Sequence, residues 1–460
     1  MLTPRLDEHR KEPLYEQLYL YIRESIESGA LKEGEKLPSK RKLATHLQIS
    51  QSTVENAYAQ LIAEGYIDSV EKKGYFLRGV EPTTLSPPAP PPCTETDRVQ
   101  SEALPYDLRT NAVDTKNFPY SVWSRLMREC MRQDPVSLLR PVHPQGDFAL
   151  RREITNYLYA FRGMRVSPDQ IILGAGTEYL LGLITELLPH AVFAFENPGY
   201  HKIAKLLHSR RIEAHPIAMD KEGMRVDELE HAPAAVALIT PSHHFPLGTV
   251  MSYGRRQQLL GWAAQADDRY LIEDDYDSEF RFLLKPIPAL YTLDHGNKVI
   301  YLNTFAKTLA PSFRIAYMIL PDDLLARYKE SLGFYSCTVS EFEQHTLKAF
   351  LQGGYYERHL NRMRTIYKGR RDAFIKGLSP LRDILTIRGQ SAGLHLLLRV
   401  ESLTEAALVE RGRVEGVGVY PLSGYYLSGV PETHTVVVGY AGLDAERLKE
   451  AAALLTRAWR

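Results

Sequence analysis

Cysteine is scarce, net charge is absent, and no long apolar run exists in this chain. The three cysteines, Cys93, Cys130 and Cys337, are odd in number and far apart. That fits neither a disulfide framework nor a zinc site, so they read as free thiols. No stretch of about 18 apolar residues is available to span a bilayer. The segment Met1–Arg10 is charged where a secretory signal is apolar. The expectation is a cytoplasmic chain with no membrane partner. The 56 Lys/Arg and 56 Asp/Glu cancel, and the first 80 residues hold twelve of each. Any affinity for nucleic acid must therefore come from where charges sit, not from their sum. They sit usefully at Lys40-Arg41-Lys42 and Lys72-Lys73. A length of 460 residues exceeds the roughly 250–300 at which single cores stop growing, so at least two domains are expected.

Residues 1–79 read as the first of them. Leu14, Leu18, Ile22 and Ile26 recur at helical spacing until Gly29 stops the run. Ser39 can cap a short second helix that buries Leu43 and Ala44 and ends near His46. A third helix carries Val54, Ala57 or Tyr58, and Leu61 on one face, with Ser52 and Glu55 at capping-box spacing. Gly65 ends it, and Tyr66–Ser69 and Gly74–Leu77 read as strands around a turn at Glu71-Lys72-Lys73-Gly74. Three helices and a hairpin make a winged helix-turn-helix. In that geometry the start of the third helix enters the major groove, placing Gln51, Ser52 and Thr53 at base edges or phosphates. Arg41, with Lys40, Lys72 and Lys73, would hold the DNA backbone. Helical spacing alone equally allows a protein-interaction module with a solvated charged face. The segments Leu37-Pro38-Ser39-Lys40-Arg41, Ser52-Thr53-Val54, Glu64-Gly65-Tyr66 and Lys73-Gly74-Tyr75-Phe76 resemble the GntR-type winged helix across residues 13–78. The resemblance implies binding of double-stranded operator DNA as a homodimer, with Arg41, Gln51, Ser52 and Lys73 at matching contact positions.

Residues 80–105, with Ser86-Pro87-Pro88-Ala89-Pro90-Pro91-Pro92, cannot bury a core and favour extended polyproline conformation, so they read as a semi-rigid spacer. From residue 106 to 460, short apolar strands alternate with helices: 170–173, 191–195, 235–239, 270–272, 299–303 and 315–320. This predicts an α/β domain around a mostly parallel sheet, with ligands gathered at the carboxyl ends of the strands. At those ends lie Gly174-Ala175-Gly176-Thr177, Thr240-Pro241-Ser242-His243-His244, Glu273-Asp274-Asp275-Tyr276 and Asn303–Lys307. A buried lysine among small and hydroxylated residues suits Schiff-base chemistry, because desolvation frees its amine. Taken singly, Asp274-Asp275 also fits a magnesium pair, and Gly174-Ala175-Gly176 a simple turn.

The order of these segments carries more than any one of them. Gly176-Thr177-Glu178, Glu196-Asn197-Pro198-Gly199-Tyr200, Pro246-Leu247-Gly248, Glu273–Asp277, then Lys307 and Arg314 resemble the fold type I aminotransferases over residues 106–460, a large mostly parallel sheet domain with a small α+β domain. Both halves together resemble the MocR/GabR-type subfamily of GntR regulators. The resemblance implies pyridoxal 5′-phosphate on Lys307 as a Schiff base, Asp274 at the pyridine nitrogen, Tyr276 at the ring hydroxyl and Tyr200 stacked on the ring. Gly176, Thr177 and Glu178 backbone groups, with Thr304 and Arg314, would take the phosphate. Three departures stand out. Val437 occupies the place of the aminotransferase carboxylate arginine, Lys202 that of a second arginine, and Phe245 that of an asparagine. Loss of the bidentate fork weakens a reading for an ordinary amino-acid ligand. The expected function is a cofactor-dependent transcriptional regulator sensing pyridoxal phosphate or an amino compound. A working aminotransferase with an appended head is the alternative.

Overall fold

The computed structural model describes residues 2, 4, 6, 7, 10, 12–79, 104–282 and 288–460. The chain divides into two units, Met1–Gln100 and Ser101–Arg460. Most of the residues expected to form the spacer, and Cys93 among them, lie outside the described residues. No helix among the described residues is long and apolar enough to cross a membrane, and Cys130 and Cys337 are free.

In the first unit, helices α1 (Leu14–Glu27), α2 (Lys40–Leu47) and α3 (Gln51–Ala63) precede a hairpin of β2 (Ile67–Val70) and β3 (Gly74–Leu77). A short β1 (Lys36–Leu37), not expected from the sequence, pairs antiparallel with β3. Leu18, Ile22 and Ile26 of α1 share one buried core with Val54, Ala57, Tyr58 and Leu61 of α3, the faces that the helical spacing anticipated. Ser39 caps α2 as expected, accepting from the Lys42 N–H. The cap of α3 is Ser50 rather than Ser52. Ser50 is extended at the helix entry and its Oγ accepts from the Thr53 N–H at 3.1 Å. Ser52 is already helical, and Glu55 turns away to Lys40 at 3.2 Å. The wing turn is made by Lys72 at φ 59° and Gly74 at φ 117°, a left-handed excursion that relieves hairpin twist.

The second unit is built on an eight-stranded sheet. Its strands run, edge to edge, Ile171–Gly174, Ala316–Ile319, Val299–Thr304, Tyr270–Asp274, Val236–Ile239, Phe193–Asn197, Ala214–Asp220 and Gly223–Met224. Pairings from Val299–Thr304 to Ala214–Asp220 are parallel, so their carboxyl ends share one edge. Ala316–Ile319 is antiparallel to both neighbours. No crossover helix separates it from Val299–Thr304, and without one the chain can only return antiparallel. Of the two strands beyond Phe193–Asn197, Ala214–Asp220 was missed because its residues are mostly half-buried and lack the fully apolar run of a central strand, and Gly223–Met224 because it is only two residues long. Apolar clusters line both sheet faces.

A smaller layer follows, with antiparallel strands Leu385–Arg388, His395–Val400, Thr435–Gly439 and Tyr420–Pro421 in that order. Its core includes Leu396, Val436, Val438, Leu448 and Trp459. The entering segment Tyr106–Asp107 pairs with Val417–Gly418. It then runs so close to Gly439 that a Cβ there would lie 2.4 Å from the Arg109 carbonyl oxygen.

Behind the sheet edge, Arg162 at the end of helix Phe148–Arg162 reaches the buried Asp275 at 3.0 Å. Tyr301 and Ser278 hydroxyls donate to the same carboxylate at 2.6 and 2.9 Å. Burial is the largest single influence and opposes the guanidinium charge, but Asp275, Tyr301, Glu273 and Glu279 together outweigh it and hold the Arg162 pKa above its ordinary value. Removing one partner of such a pair strands a buried charge. Arg162→Met is expected to lower unfolding free energy by about 3–5 kcal/mol, read by urea denaturation. A loss of about 1 kcal/mol or less would show the pair to be dispensable.

Candidate functional site

At the shared carboxyl edge of the sheet one pocket collects residues from five strand ends: Gly176, Glu196, Thr240, Asp274 and Thr304, with Lys307 just beyond. Every cofactor residue expected from the sequence lines it: Gly176, Thr177, Glu178, Tyr200, Asp274, Tyr276, Thr304, Lys307 and Arg314. Asp274 and Asp275 are not a metal pair. Asp275 is committed to Arg162, Tyr301 and Ser278, whereas Asp274 faces the pocket with Lys307.

Burial governs the chemistry here. It pushes the Asp274 carboxyl up to about 7, helped by Asp275 and Asp277 and opposed by Lys307. It lowers the Lys307 amine below its ordinary value, with Asp277 and Asp274 pulling the other way. The same desolvation thus favours the neutral form of both groups. Asp274 Oδ1 is buried and takes no hydrogen bond from the protein, a costly arrangement unless a ligand supplies a donor. Lys307 Nζ donates to the Thr110 carbonyl at 3.3 Å and to Asn111 Oδ1 at 3.4 Å. These two residues were not anticipated, since nothing in their local sequence marks them.

The pocket also contains a helix start. Helix Thr177–Leu187 begins at Gly176, whose φ of 98° leaves its N-terminal amides open. A Cβ at Gly176 would lie 2.8 Å from Arg314 Nη2. Arg314 itself is left-handed, at φ 53°, and donates to the Ala175 carbonyl at 2.9 Å and to Glu178 at 3.0 Å. Lys202 pairs with the other Glu178 oxygen at 3.2 Å. Against the penalty of burial, Arg314 and Lys202 hold the Glu178 carboxyl below its ordinary range. Thr304 Oγ1 accepts from the Ala306 N–H at 3.1 Å, bracing the turn to Lys307.

Tyr200 packs edge-on against Phe245 with centroids 6.0 Å apart. Behind Tyr276 lies a pair that the motifs contained but did not single out. His243 Nδ1 and Asp277 Oδ2 are 2.9 Å apart, both buried, with the Tyr276 hydroxyl 3.3 Å from the same nitrogen. Val437, at the expected arginine position, is buried against Leu397 and Leu422 beside Tyr425 and Tyr426. Val437 itself offers a carboxylate no donor in place of a guanidinium.

In the head, Gln51 and Ser52 are exposed at the start of α3, as are Arg41, Lys72 and Lys73, with Thr53 half-buried. Lys40 differs. Its ammonium pairs with Glu55 at 3.2 Å and lies 5.8 Å over the Tyr75 ring, binding α2 to α3 and the wing.

A winged helix and an aminotransferase-type pocket on one chain define a class, and comparison with known proteins places the chain within it. Aminotransferase class I and II matches residues 106–455, and the gntR family of bacterial regulatory proteins matches residues 14–77. The chain is 40% identical to the uncharacterised HTH-type transcriptional regulator YdeL of Bacillus subtilis (strain 168), over 100% of this chain and 99% of that one. It is 31% identical to the probable rhizopine catabolism regulatory protein MocR of Rhizobium meliloti, covering 97% and 93%. It is also 31% identical to the pyridoxine biosynthesis regulator PdxR of Corynebacterium glutamicum, covering 96% and 95%. Among solved structures, a kynurenine aminotransferase of Pyrococcus horikoshii, in complex with PMP, superposes with TM-score 0.67 at 25% identity over 78% of this chain and 91% of that one. The chain belongs to the MocR-type GntR regulators, helix-turn-helix transcriptional regulators with a class I and II aminotransferase domain.

Glu196 gives the pocket a measurable pH signature. Burial pushes its carboxyl up to about 8, and its neighbour His244, 3.5 Å away, is held down to about 3 by burial and by His243. A carboxyl near 8 when folded but near 4 when unfolded keeps a proton that the unfolded chain releases, so its contribution to stability falls as pH rises between those values. In the ligand-free protein, Glu196→Gln is expected to raise the unfolding temperature at pH 8 and leave it nearly unchanged at pH 4. Calorimetry showing the same shift at both pH values would contradict the assignment.

Proposed function

We propose that this regulator carries pyridoxal 5′-phosphate on Lys307 and that the state of this pocket sets how the head binds operator DNA. The observation that carries the reading is the buried, unpartnered Asp274 Oδ1 facing the same pocket as a desolvated lysine. A protonated pyridine nitrogen is the donor that Asp274 lacks, and it would hold that carboxyl ionised. The Gly176–Glu178 helix start, with Arg314, suits the phosphate. When bound, the cofactor supplies an aldehyde for a primary amine and an electron-withdrawing ring. The chain's own part is to free the Lys307 amine by burial, to hold the ring between Asp274, Tyr276 and Tyr200, and to anchor the anion at the helix start.

The effector is the cofactor itself or an amino compound that reacts with it. The apolar setting of Val437 favours ligands without an amino-acid carboxylate at that place. The relative named for pyridoxine biosynthesis adds support for sensing of the cofactor. In the head, Gln51, Ser52 and Thr53 are proposed to read bases. Arg41, Lys72 and Lys73 are proposed to contact phosphates, and a homodimer presents two heads to one operator.

Lys307→Ala is expected to abolish the borohydride-reducible absorbance band near about 420 nm that marks such an adduct, with the unfolding profile of the head unchanged. Persistence of the band would move the attachment to another lysine. Arg41→Ala is expected to weaken binding to all DNA sequences alike by about tenfold, whereas Gln51→Ala should change preference among them. Fluorescence anisotropy against two unrelated duplexes separates these outcomes, and sequence-selective loss from Arg41→Ala would refute its phosphate role.

A further inference from the structure

Thr110 and Asn111 are the partners of the Lys307 amine, and their place in the chain is unusual. They lie four and five residues after Tyr106, where the chain enters the small layer from the proline-rich segment. The segment between is fixed on both sides. Tyr106 and Leu108 N–H groups donate to the Gly416 and Gly418 carbonyls at 3.1 and 3.0 Å. The Leu108 carbonyl accepts from the Gly439 N–H at 2.7 Å. Beyond Asn111, the Asp114 N–H donates to the Tyr367 hydroxyl at 3.0 Å and its carboxylate pairs with Arg370 at 2.6 Å. Leu108 is fully buried, whereas Thr110 is half-buried and Asn111 exposed. Between these anchors, Thr110 and Asn111 are the residues that touch Lys307.

We infer that the Thr110 carbonyl and the Asn111 side chain form a docking point for the free Lys307 amine, so that this segment reports whether Lys307 is free or covalently engaged. The inference rests on the reading that Lys307 carries the cofactor. The two contacts, at 3.3 and 3.4 Å, sit at the long end of hydrogen-bond geometry, which suits a contact made and released. A carbon bonded to Nζ draws the nitrogen toward the ring site and takes it from both acceptors. An amine that reacts with the cofactor in place of Lys307 releases the lysine, and the contacts re-form. Because Gly439 admits no side chain against Arg109 and Thr110, the backbone here lies directly on strand Thr435–Gly439. The differential contact that a switch requires is thus the Lys307 amine itself.

The test compares two loaded forms of the full-length protein that both fill the ring and phosphate sites. One carries pyridoxal 5′-phosphate fixed on Lys307 by borohydride, and the other holds pyridoxamine 5′-phosphate, which leaves the lysine free. Hydrogen exchange of the peptide covering residues 104–112 is the readout. It is expected to be about tenfold faster in the reduced form, the factor that about 1.4 kcal/mol provides. The pyridoxamine form should match the protein without cofactor. In Asn111→Ala the contrast between the two loaded forms should shrink. Equal exchange in both loaded forms, with the adduct verified on Lys307 by mass, overturns the docking point and leaves the cofactor reading intact. Failure of Lys307 to acquire the adduct overturns both.

Discussion

The pocket depends on the buried pair Arg162–Asp275. Strand Tyr270–Asp274 ends in a run of acids, and four of them, Glu273, Asp275, Asp277 and Glu279, are buried within a few residues of one another. Left alone, such a cluster would repel itself out of the fold. Arg162 supplies the cation, and Tyr301, Ser278 and Tyr157 supply donors to Asp275 and Glu279. Glu273 is used to cap the Leu290 and Tyr291 amides. Burial, followed by neighbouring Asp275, pushes Glu273 and Glu279 up to about 7. With Asp275 held behind the sheet, Asp274 and Asp277 are the members of the run that line the pocket together with Lys307, and Asp277 is paired with His243. Two structural pairs, Arg162–Asp275 and His243–Asp277, thereby leave Asp274 as the pocket carboxylate of this run with an unpartnered oxygen.

Desolvation then does two jobs at once. In water a lysine and an aspartate would both be charged and would simply pair. Inside this pocket the lysine is pushed toward its nucleophilic neutral form, and the aspartate is kept near the point where a partner can decide its charge. The anion end is organised differently, by a helix start and by Arg314 held in place through Ala175 and Glu178. One cavity therefore holds a desolvated lysine and aspartate together with an open helix start, with Tyr200, Phe245 and Tyr276 also in its lining.

Much of this was legible in the sequence. The head's helices follow from Leu18, Ile22, Ile26, Val54, Tyr58 and Leu61, because helical period and core contact coincide there. The strand ends were legible because glycine, hydroxyl and acidic residues interrupt apolar runs just where a parallel sheet collects its ligands. Other features depended on tertiary placement. Ser50 rather than Ser52 caps α3, a choice set by backbone dihedrals that a serine pattern does not carry. The reversed direction of Ala316–Ile319 follows from its connection, not from its composition. Thr110 and Asn111 meet Lys307 across nearly two hundred positions of chain, and His243 meets Asp277 through sheet topology. No local pattern encodes either encounter.

The tie between Lys40 and Glu55 has a consequence for how the head meets a polyanion. It takes one cation out of the basic run, leaving Arg41, Lys42, Lys72 and Lys73 as the exposed cations of the two clusters. Each phosphate neutralised on duplex DNA contributes about 0.9 to the slope of binding against the logarithm of salt. A head with so few cations and no net charge is a weak electrostatic binder by itself. The ionic-strength dependence of the intact regulator then becomes a counting device, its steepness recording how many heads rest on the DNA at once.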